Sequence, residues 1–584
     1  MSDIRHAIII GGGPGGLYAA ILLRLAMPTV RVTILERQSA EHETFGFGVA
    51  FHEVTLRKLA EADPVSRAGL EELLQPWDDV AFHVRGHEYR VAGHAFAGCS
   101  RDSLIRLLRG RATELGARIE FGRSASATEH AGADLVIIAD GSGSRNRALL
   151  APDATVSARP NWFVWLGTTR PMAEMNFFFR KTPYGLFVAH AYPHDAGAGT
   201  WIVETESATL RASGLEGASQ AVTAEAMQRV FADDLAGAPL LARDSSWRQF
   251  PVVRCARWAD GNMALIGDAK ATVHYSIGSG TKIAMEDAVA LVAAVASAST
   301  VTEGLARYEQ DRRPQVEQLQ ARAYGSMLWF ESMDAHWDMP AAQFAFSGVT
   351  RKTDETYVSV RSRGDALATA ALHAFAGTGD ADPLDVPVRI GSLQLPGRRL
   401  HTEDTACPPS DPARPAALAL SAPVTSAQEA SAAIDRLAES RAATRAIVVS
   451  ASAQFPSMVE AVAGSAELLV IDVDDLATAA GLVSAARAAW PRERPLGIRI
   501  RPSGEPQAIL PMLRATIAEG CDLVVVSPEG TAGPAGEAAA SLVVPTSDFI
   551  RHALKTSTAC TGPRSRETAE TILISGRADL VEVS

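Results

Sequence analysis

The stretch IIIGGGPGG at residues 8–16 decides the fold. Three consecutive isoleucines after Ala7 read as a strand buried on both faces, as in a parallel sheet. Gly11, Gly13 and Gly16, with Pro14 among them, then turn the chain tightly into an apolar helix expected over 17–26. Backbone N–H groups at such a helix start can face a pyrophosphate. A second expected strand, 30–35, delivers Glu36, followed by Arg37, about 20 residues past the last turn glycine, where a carboxylate can bind a ribose hydroxyl pair. Strand, helix and acid together argue for a dinucleotide site over an ordinary glycine-rich turn.

That motif alone does not separate FAD from NAD, and two later stretches do. In DLVIIADGSGSRNR (134–147) a buried strand over 134–139 ends in Asp140 and Gly141. In LIGDAKATVHYSIGSGTK (265–282) a strand over 263–266 runs into Gly267, Asp268 and Ala269, then a glycine-spaced loop and a helix expected over 281–295. Asp268 can accept hydrogen bonds from ribityl hydroxyls. Gly278, Gly280 and the N–H groups of Thr281 and Lys282 can face the electron-rich edge of a reduced flavin, which a positive helix end stabilises as an anion. FAD is the expected cofactor.

The three stretches, in this order, resemble the aromatic-ring-hydroxylating FAD monooxygenases, the para-hydroxybenzoate hydroxylase group. Within that group the closer likeness is to salicylyl-CoA 5-hydroxylase and the monooxygenase half of anthraniloyl-CoA (2-aminobenzoyl-CoA) monooxygenase/reductase. It is carried by FGFGVAFHEVTLRKL (45–59), WLGTT (165–169), FFFRKTPYGLFVAHAYP (177–193), HYSIGSGTKIAMEDA (274–288), YEQDRRP (308–314) and SMLWFE (326–331). The resemblance implies an α/β fold: a Rossmann-type FAD module with an inserted antiparallel substrate sheet. It places Arg101, which opens a helix, against the FAD phosphates; a surface arginine on an amphipathic helix is the alternative. The chain departs from the group's GDAAH pattern, reading Lys270 and Ala271 where a small residue and a histidine are usual. It has Ser276 where many members place a flavin-facing proline.

Composition bounds the rest. A 584-residue chain with 47% hydrophobic and 21% charged residues implies two or three globular domains. A net charge of −12 leaves no broad basic footprint for nucleic acid, and no basic run suggests a membrane surface. Cys99, Cys255, Cys407, Cys521 and Cys560 are scattered and read as reduced thiols, with no metal site. The first strand begins too early for a signal peptide, and no apolar run reaches the length of about 18 residues that a membrane span needs. A cytoplasmic, soluble protein is expected, with room for a homodimer.

Residues 160–258 alternate as strands separated by Pro, Gly and Asp turns, the expected substrate sheet, and 283–345 read as closing helices. The monooxygenase module is therefore expected over 1–375. Beyond it, apolar runs at 417–421, 446–450, 468–473, 496–500, 523–527, 558–562 and 579–583 alternate with helices, the pattern of a (β/α) barrel. This tract, 376–584, resembles a degenerate, truncated ene-reductase of the old yellow enzyme type, through PLDVPVRIGSLQLPGRRL (383–400), PLGIRI (495–500), GCDLVVVSPEG (520–530) and TGPRSRETAETILISGRADLVEV (561–583). The family's asparagine is Gly397, its Pro-Met is Glu403 and Asp404, and its histidine pair is missing from VIDVDDLATAAGLVSAARAAW (470–490). Arg499 survives as a residue that could face an FMN ring. A structural, inactive barrel without FMN is expected.

The resemblance implies that NAD(P)H, docking transiently, reduces FAD. Oxygen then forms a flavin hydroperoxide that hydroxylates or epoxidises an electron-rich aromatic ring. The substrate is expected to be an aryl-CoA thioester of the salicylyl or anthraniloyl type. The alternatives are a free or carrier-bound aromatic of secondary metabolism, or a bifunctional monooxygenase/ene-reductase with FMN. Such chemistry needs a dry site and an oriented ring more than a nucleophile. His52, His190, Tyr192, His274, Tyr275 and Ser276 are the candidates for orienting the ring or taking its proton, each with the alternative of a locally satisfied core residue. Phe47 and Phe187 are expected to line the cavity. Arg180 either meets a carboxylate or phosphate or is a solvated strand-edge arginine, and the basic tract 351–365 either holds a CoA tail or is a solvated linker.

Overall fold

The computed structural model describes residues 4–41, 47–243, 245–352, 354–363, 366–403, 416–439, 442–451, 455–502, 504–528 and 534–583. The chain divides into two compact units, Met1–Met327 and Leu328–Ser584. The division expected at 375/376 falls inside the second unit, because the helices Ala341–Val349, Tyr357–Ser362 and Ala366–Ala376 pack on Arg566–Ile574 of that unit.

In the first unit the quoted isoleucines form His6–Ile10, hydrogen-bonded in parallel to Arg31–Leu35 on one side and Leu135–Ile138 on the other. The sheet continues to Arg118–Glu120 and to Met263–Leu265, so all three cofactor stretches leave the same sheet. Two positions of the turn between strand and helix tolerate only glycine. Gly11 has φ +109°, and a Cβ there would stand 2.3 Å from the Ala139 carbonyl oxygen; one on Gly16 would stand 2.1 Å from the Gly11 carbonyl oxygen. The helix Pro14–Ala26 follows, with Pro14 in its first turn, where no N–H is needed. It packs against Gly280–Ser297 and Arg101–Glu114, filling one continuous core.

The inserted sheet runs in the order Leu240–Leu241, Thr155–Thr168, Ala198–Thr205, Gly185–Asp195, Met175–Thr182, Val80–Val84, His87–Val91, with Arg248–Arg254 also paired to Thr155–Thr168. Its last two strands precede the 160–258 tract, and Met175–Thr182 pairs with Val80–Val84 in parallel. Side chains alternate between its two faces. Val164, Leu166, Phe178, Phe187, Trp201 and Val203 pack with Leu210, Met227 and Phe231 of the adjoining helical segment. Phe163, Tyr192 and Ile202 belong to the opposite face, with Trp77.

The second unit contains a closed barrel of eight parallel strands: Arg399–Thr402, Leu418–Leu420, Thr444–Ser450, Leu468–Asp472, Leu496–Ile500, Leu523–Val526, Ser557–Arg564 and Leu580–Val583. The barrel expected to be truncated is thus complete in strands. Its first strand, RLHT, carries too little apolar periodicity to read as one, and it closes the ring by pairing with Leu580–Val583. Leu418, Val448, Val470 and Val525 share the lumen core, while their alternates Ala419, Val449, Ile471 and Val526 share the core with the surrounding helices. Among the described residues no helix is long and apolar enough to cross a membrane. Cys99, Cys255, Cys521 and Cys560 are buried free thiols; Cys407 lies outside the described residues.

Candidate active site

The three stretches converge on a cradle that suits FAD. Glu36 accepts hydrogen bonds from the Gly12 N–H at 2.6 Å and the Gln38 N–H at 2.8 Å, which holds its carboxylate at the phosphate turn; the neighbouring Arg37 is exposed. Nothing lies within 4 Å of a Cβ built on Gly13, Gly141 or Gly280, while Gly278 has φ +64°. Asp140 accepts from Asn146 at 3.0 Å through one oxygen, and its other oxygen is buried without a hydrogen-bond partner. A buried carboxylate oxygen left open costs stability unless a donor arrives. The helix Gly280–Ser297 begins with no capping side chain and no acid in its first turn, so the N–H groups of its head stay available for an electron-rich ring. Arg101 opens its helix half-buried, in the electrostatic field of Asp268.

Two cationic clamps that the sequence did not reveal hold this cradle. Arg147 donates to the carbonyls of Ala269 at 2.6 Å and Ser142 at 2.6 Å, joining the second stretch to the third. Asp287 receives the Gly267 N–H at 2.8 Å, the Lys270 ammonium at 3.0 Å and the Arg312 guanidinium at 2.9 Å, all buried. Lys270 also lies 3.7 Å from the Trp258 ring centroid, a cation–π contact. The unusual Lys270 is therefore an internal strut of the flavin loop. Arg312 belongs to the DRRP signature, and Lys282, at the head of the helix Gly280–Ser297, has its ammonium pushed below the usual range by burial.

Asp268 is pushed up to about 6, chiefly by burial, with Arg101 acting against it. An aspartate whose folded pKa is raised holds its proton longer in the folded state, so the FAD-free protein loses stability as pH rises from about 4 to about 6. Asp268→Asn is expected to remove that dependence and to stabilise the FAD-free protein at pH 7 by up to about 2–3 kcal/mol, while weakening FAD retention. Thermal unfolding of the flavin-stripped protein against pH checks it; parallel wild-type and variant profiles would refute it.

On the substrate side the structure brings His190, His274, Tyr275 and Ser276 together. His190 sits 5.6 Å from Tyr275 and 5.0 Å from Phe177, edge-on to each ring. Tyr275, on the flavin loop, contacts Phe163 at 4.7 Å and Phe250 at 5.9 Å. His274 Nδ1 and the Ser276 hydroxyl are 2.8 Å apart, and that hydroxyl is 2.8 Å from Ser326. Glu204, fully buried, lies 3.2 Å from His190 Nε2 and accepts from Asn161 at 2.9 Å. Burial pushes the Glu204 carboxyl up, but His190, His274 and Asn161 outweigh it and hold it below the usual range.

Other expected residues have local tasks. His52 caps the helix Glu53–Ala62 by accepting from the Val54 N–H at 3.1 Å. Tyr192 lends its ring to the aromatic face, stacked obliquely at 5.7 Å from Trp77, while its hydroxyl donates to the Gly48 carbonyl at 2.9 Å. Phe47 packs against Gly167 and His194. Phe187 and Arg180 do not share the His190 face: strand alternation turns both toward the helical side, where Phe187 joins the core and Arg180 pairs with Asp234. Arg180→Ala is expected to cost about 1–3 kcal/mol by leaving Asp234 unpaired, with KM for the aromatic substrate changed by less than about twofold. A tenfold rise in KM would return Arg180 to the substrate. In the tract 351–365, Arg351 is buried and bonded to the Gly348 carbonyl, Arg361 donates to the Tyr357 hydroxyl at 3.2 Å, and Arg363 pairs with Glu355 at 2.7 Å. Thr353, Gly364 and Asp365 lie outside the described residues.

At the C-terminal end of the barrel lumen the apolar layer gives way to a polar one. Asp472 binds Arg499 through both oxygens, at 2.8 and 3.1 Å, and Arg501 at 2.9 Å. Glu582 takes the Thr402 hydroxyl at 2.7 Å and the Gly562 N–H at 2.6 Å. Burial pushes Asp472 up, yet the two arginines hold it below the ordinary aspartate range. Gly397 approaches the Leu384 carbonyl, and Glu403 pairs with Arg436; Asp404 lies outside the described residues.

A phosphate turn that needs glycine at positions 11 and 16, an open buried aspartate oxygen and an uncapped helix head together fit a flavin dinucleotide. Residues 5–323 match the family described as FAD binding domain, and the chain belongs to that family. It is an FAD-dependent aromatic monooxygenase. Salicyloyl-CoA 5-hydroxylase of a Streptomyces species is 37% identical over 411 residues, covering 68% of this chain and 78% of the relative. The 3-hydroxy-4-methyl-anthranilyl-[aryl-carrier protein] 5-monooxygenase of Streptosporangium sibiricum is 34% identical over 327 residues, 55% of this chain and 88% of that one. Protodeoxyviolaceinate monooxygenase of Chromobacterium violaceum is 30% identical over 357 residues, with 59% and 94% covered.

Proposed function

We propose that this chain hydroxylates or epoxidises an electron-rich aromatic ring presented as an aryl-CoA thioester, using O2 and NAD(P)H, with the barrel as a structural, catalytically inactive partner. The observation that carries the reading is the meeting of the flavin loop with the aromatic face: Tyr275 is within 5.6 Å of His190 and 4.7 Å of Phe163, beside a fully buried carboxylate. FAD, once bound and reduced, supplies the oxygen-activating chemistry. Gly11 to Gly16 and Glu36 would hold its phosphates and ribose, Asp268 its ribityl chain, and the head of Gly280–Ser297 its ring edge. Trp77, Phe163 and Tyr275 would keep water from the ring, and His190 lies edge-on to Tyr275 on the same face.

Two relatives bear on the thioester: one is named for a CoA-bound ring, the other for a ring bound to an aryl-carrier protein. The pairing of Arg499 and Arg501 with Asp472 supports the inactive barrel, since the arginine that could face an FMN ring already has its counter-charge. The test is chromatography of released flavin together with NAD(P)H oxidation in the presence of salicylyl-CoA, anthraniloyl-CoA and their free acids. One FAD per chain, no FMN and stimulation by thioesters alone is the expected result. Equal FAD and FMN would overturn the inactive barrel, and stimulation by free acids alone would overturn the thioester.

A further inference from the structure

In the second unit His336, Asp548 and His552 bring three ligand atoms within 4.8 Å of one another, and all three side chains are buried. Asp548 and His552 are four residues apart on the helix Pro534–Leu554, hence on one face, and His336 sits in the turn at 332–338. Their meeting point is Asp548 Oδ1, with His336 Nε2 at 2.9 Å and His552 Nε2 at 3.5 Å. The Gly576 carbonyl, in the turn after Arg566–Ile574, lies 3.0 Å from the same His552 nitrogen. The two imidazoles stack with centroids 3.9 Å apart. His336 Nδ1 is 2.7 Å from the Ser332 carbonyl, which can only accept, so Nδ1 carries the ring hydrogen. Nε2 of a neutral ring then turns its lone pair toward a carboxylate oxygen at 2.9 Å, a repulsive contact unless a proton or a metal ion lies there. A proton bridges two atoms, whereas a metal ion meets all four.

We propose that His336, Asp548, His552 and the Gly576 carbonyl form a structural zinc site of the barrel unit. The ligand-to-ligand distances of 2.9, 3.0 and 3.5 Å bracket the edge of about 3.3 Å expected of a zinc tetrahedron with bonds of about 2.0–2.1 Å. The His336 Nδ1–H bond to a backbone carbonyl is the outer contact that orients metal-binding imidazoles. Burial, with His336 beside it, pushes His552 down to about 2, so it presents a neutral ring. Arg577 leaves the position open: it stands 3.8 Å from the other oxygen, Asp548 Oδ2, and donates to the Ser347 carbonyl at 2.8 Å and to Thr350 Oγ1 at 3.2 Å. On binding, the ion takes the place of the proton between His336 and Asp548, and the His552 hydrogen moves from Nε2 to Nδ1. Four protein ligands leave no coordination position for a substrate, so the ion ties the turn at 332–338 to the helix Pro534–Leu554 and the turn at Gly576.

The experiment uses the full-length, FAD-loaded protein produced in zinc-supplemented medium, because ligands this buried are loaded as the chain folds. A chelator wash and gel filtration then remove surface-bound metal. Elemental analysis is expected to find one zinc per chain in the wild type and at least about tenfold less in His552→Asn and His336→Gln, with flavin content unchanged. Protein grown with cobalt instead should show the red-region absorption of tetrahedral Co2+, which the flavin bands leave clear. No zinc above background in the wild type would overturn the inference, as would equal zinc in wild type and variants, the mark of an adventitious ion only. If neither variant folds, the wild-type cobalt spectrum decides: tetrahedral bands support the site, and octahedral bands or none overturn it.

Discussion

Asp287→Ala is expected to destabilise the FAD module by about 3–5 kcal/mol, because it leaves the buried Lys270 without a counter-charge and takes from Arg312 one of its two carboxylates. Asp287 and Lys270 are 0% exposed and Arg312 is 5% exposed, and both cations meet the same carboxylate, which also receives the Gly267 N–H. Arg312 would keep Glu286 at 3.0 Å, but Lys270 would keep only the Trp258 face. A cation–π contact of about 1–2 kcal/mol does not offset the desolvation of a fully buried ammonium. Lys270→Met in the Asp287→Ala background should therefore recover part of the loss. Urea unfolding of the full chain, followed through the transition that releases flavin, measures both. A loss below about 1 kcal/mol, or no recovery in the double variant, would show that the loop is held by something else.

Gly16→Ala is expected to empty the flavin site while leaving the barrel unit folded. The added Cβ would stand 2.1 Å from the Gly11 carbonyl oxygen, and backbone cannot rotate aside as a side chain can. Opening that gap displaces the turn whose N–H groups would face the phosphates of bound FAD. Overpacking of this kind costs about 1–3 kcal/mol, equivalent to roughly 5–150-fold in FAD affinity. Flavin content after gel filtration, with circular dichroism to confirm the fold, is the check. Full retention of FAD would mean that the turn relaxes without moving those N–H groups.

The cofactor side of this protein was legible because its chemistry is local. A glycine that must approach a carbonyl, an acid that must end a strand and a helix that must begin uncapped all lie within short windows. The turn at 11–16, the strand Leu135–Ile138 and the helix Gly280–Ser297 appear near where the pattern placed them. Most barrel strands announce themselves as apolar runs for the same reason. Arg399–Thr402 does not, since a short strand with two basic residues is recognisable only by the neighbours it joins.

The substrate side was legible in its residue types and much less in its geometry. Sequence alone put His190, Phe187 and Arg180 on the substrate side; strand alternation then divided them, because residues an odd number of positions apart on a strand, such as Phe187 and His190, face opposite sides of a sheet. Glu204 carried a readable sign, an acid in the apolar phase of its strand, but its partners Asn161 and His190 come from two different strands. Arg147, Asp287 and Arg312 likewise act across long separations, and nothing in a window around any of them names the group it will meet.

What the sequence determined by itself was therefore the cofactor, the chemistry it implies and the order of the modules, since these depend on short-range backbone geometry and apolar periodicity. The tertiary structure decided which buried charges find each other. The Asp287 strut, the Asp472 closure of the barrel lumen and the Glu204–His190 pair each join segments that only folding makes neighbours, and in a low-dielectric interior that neighbourhood sets how a charged group behaves.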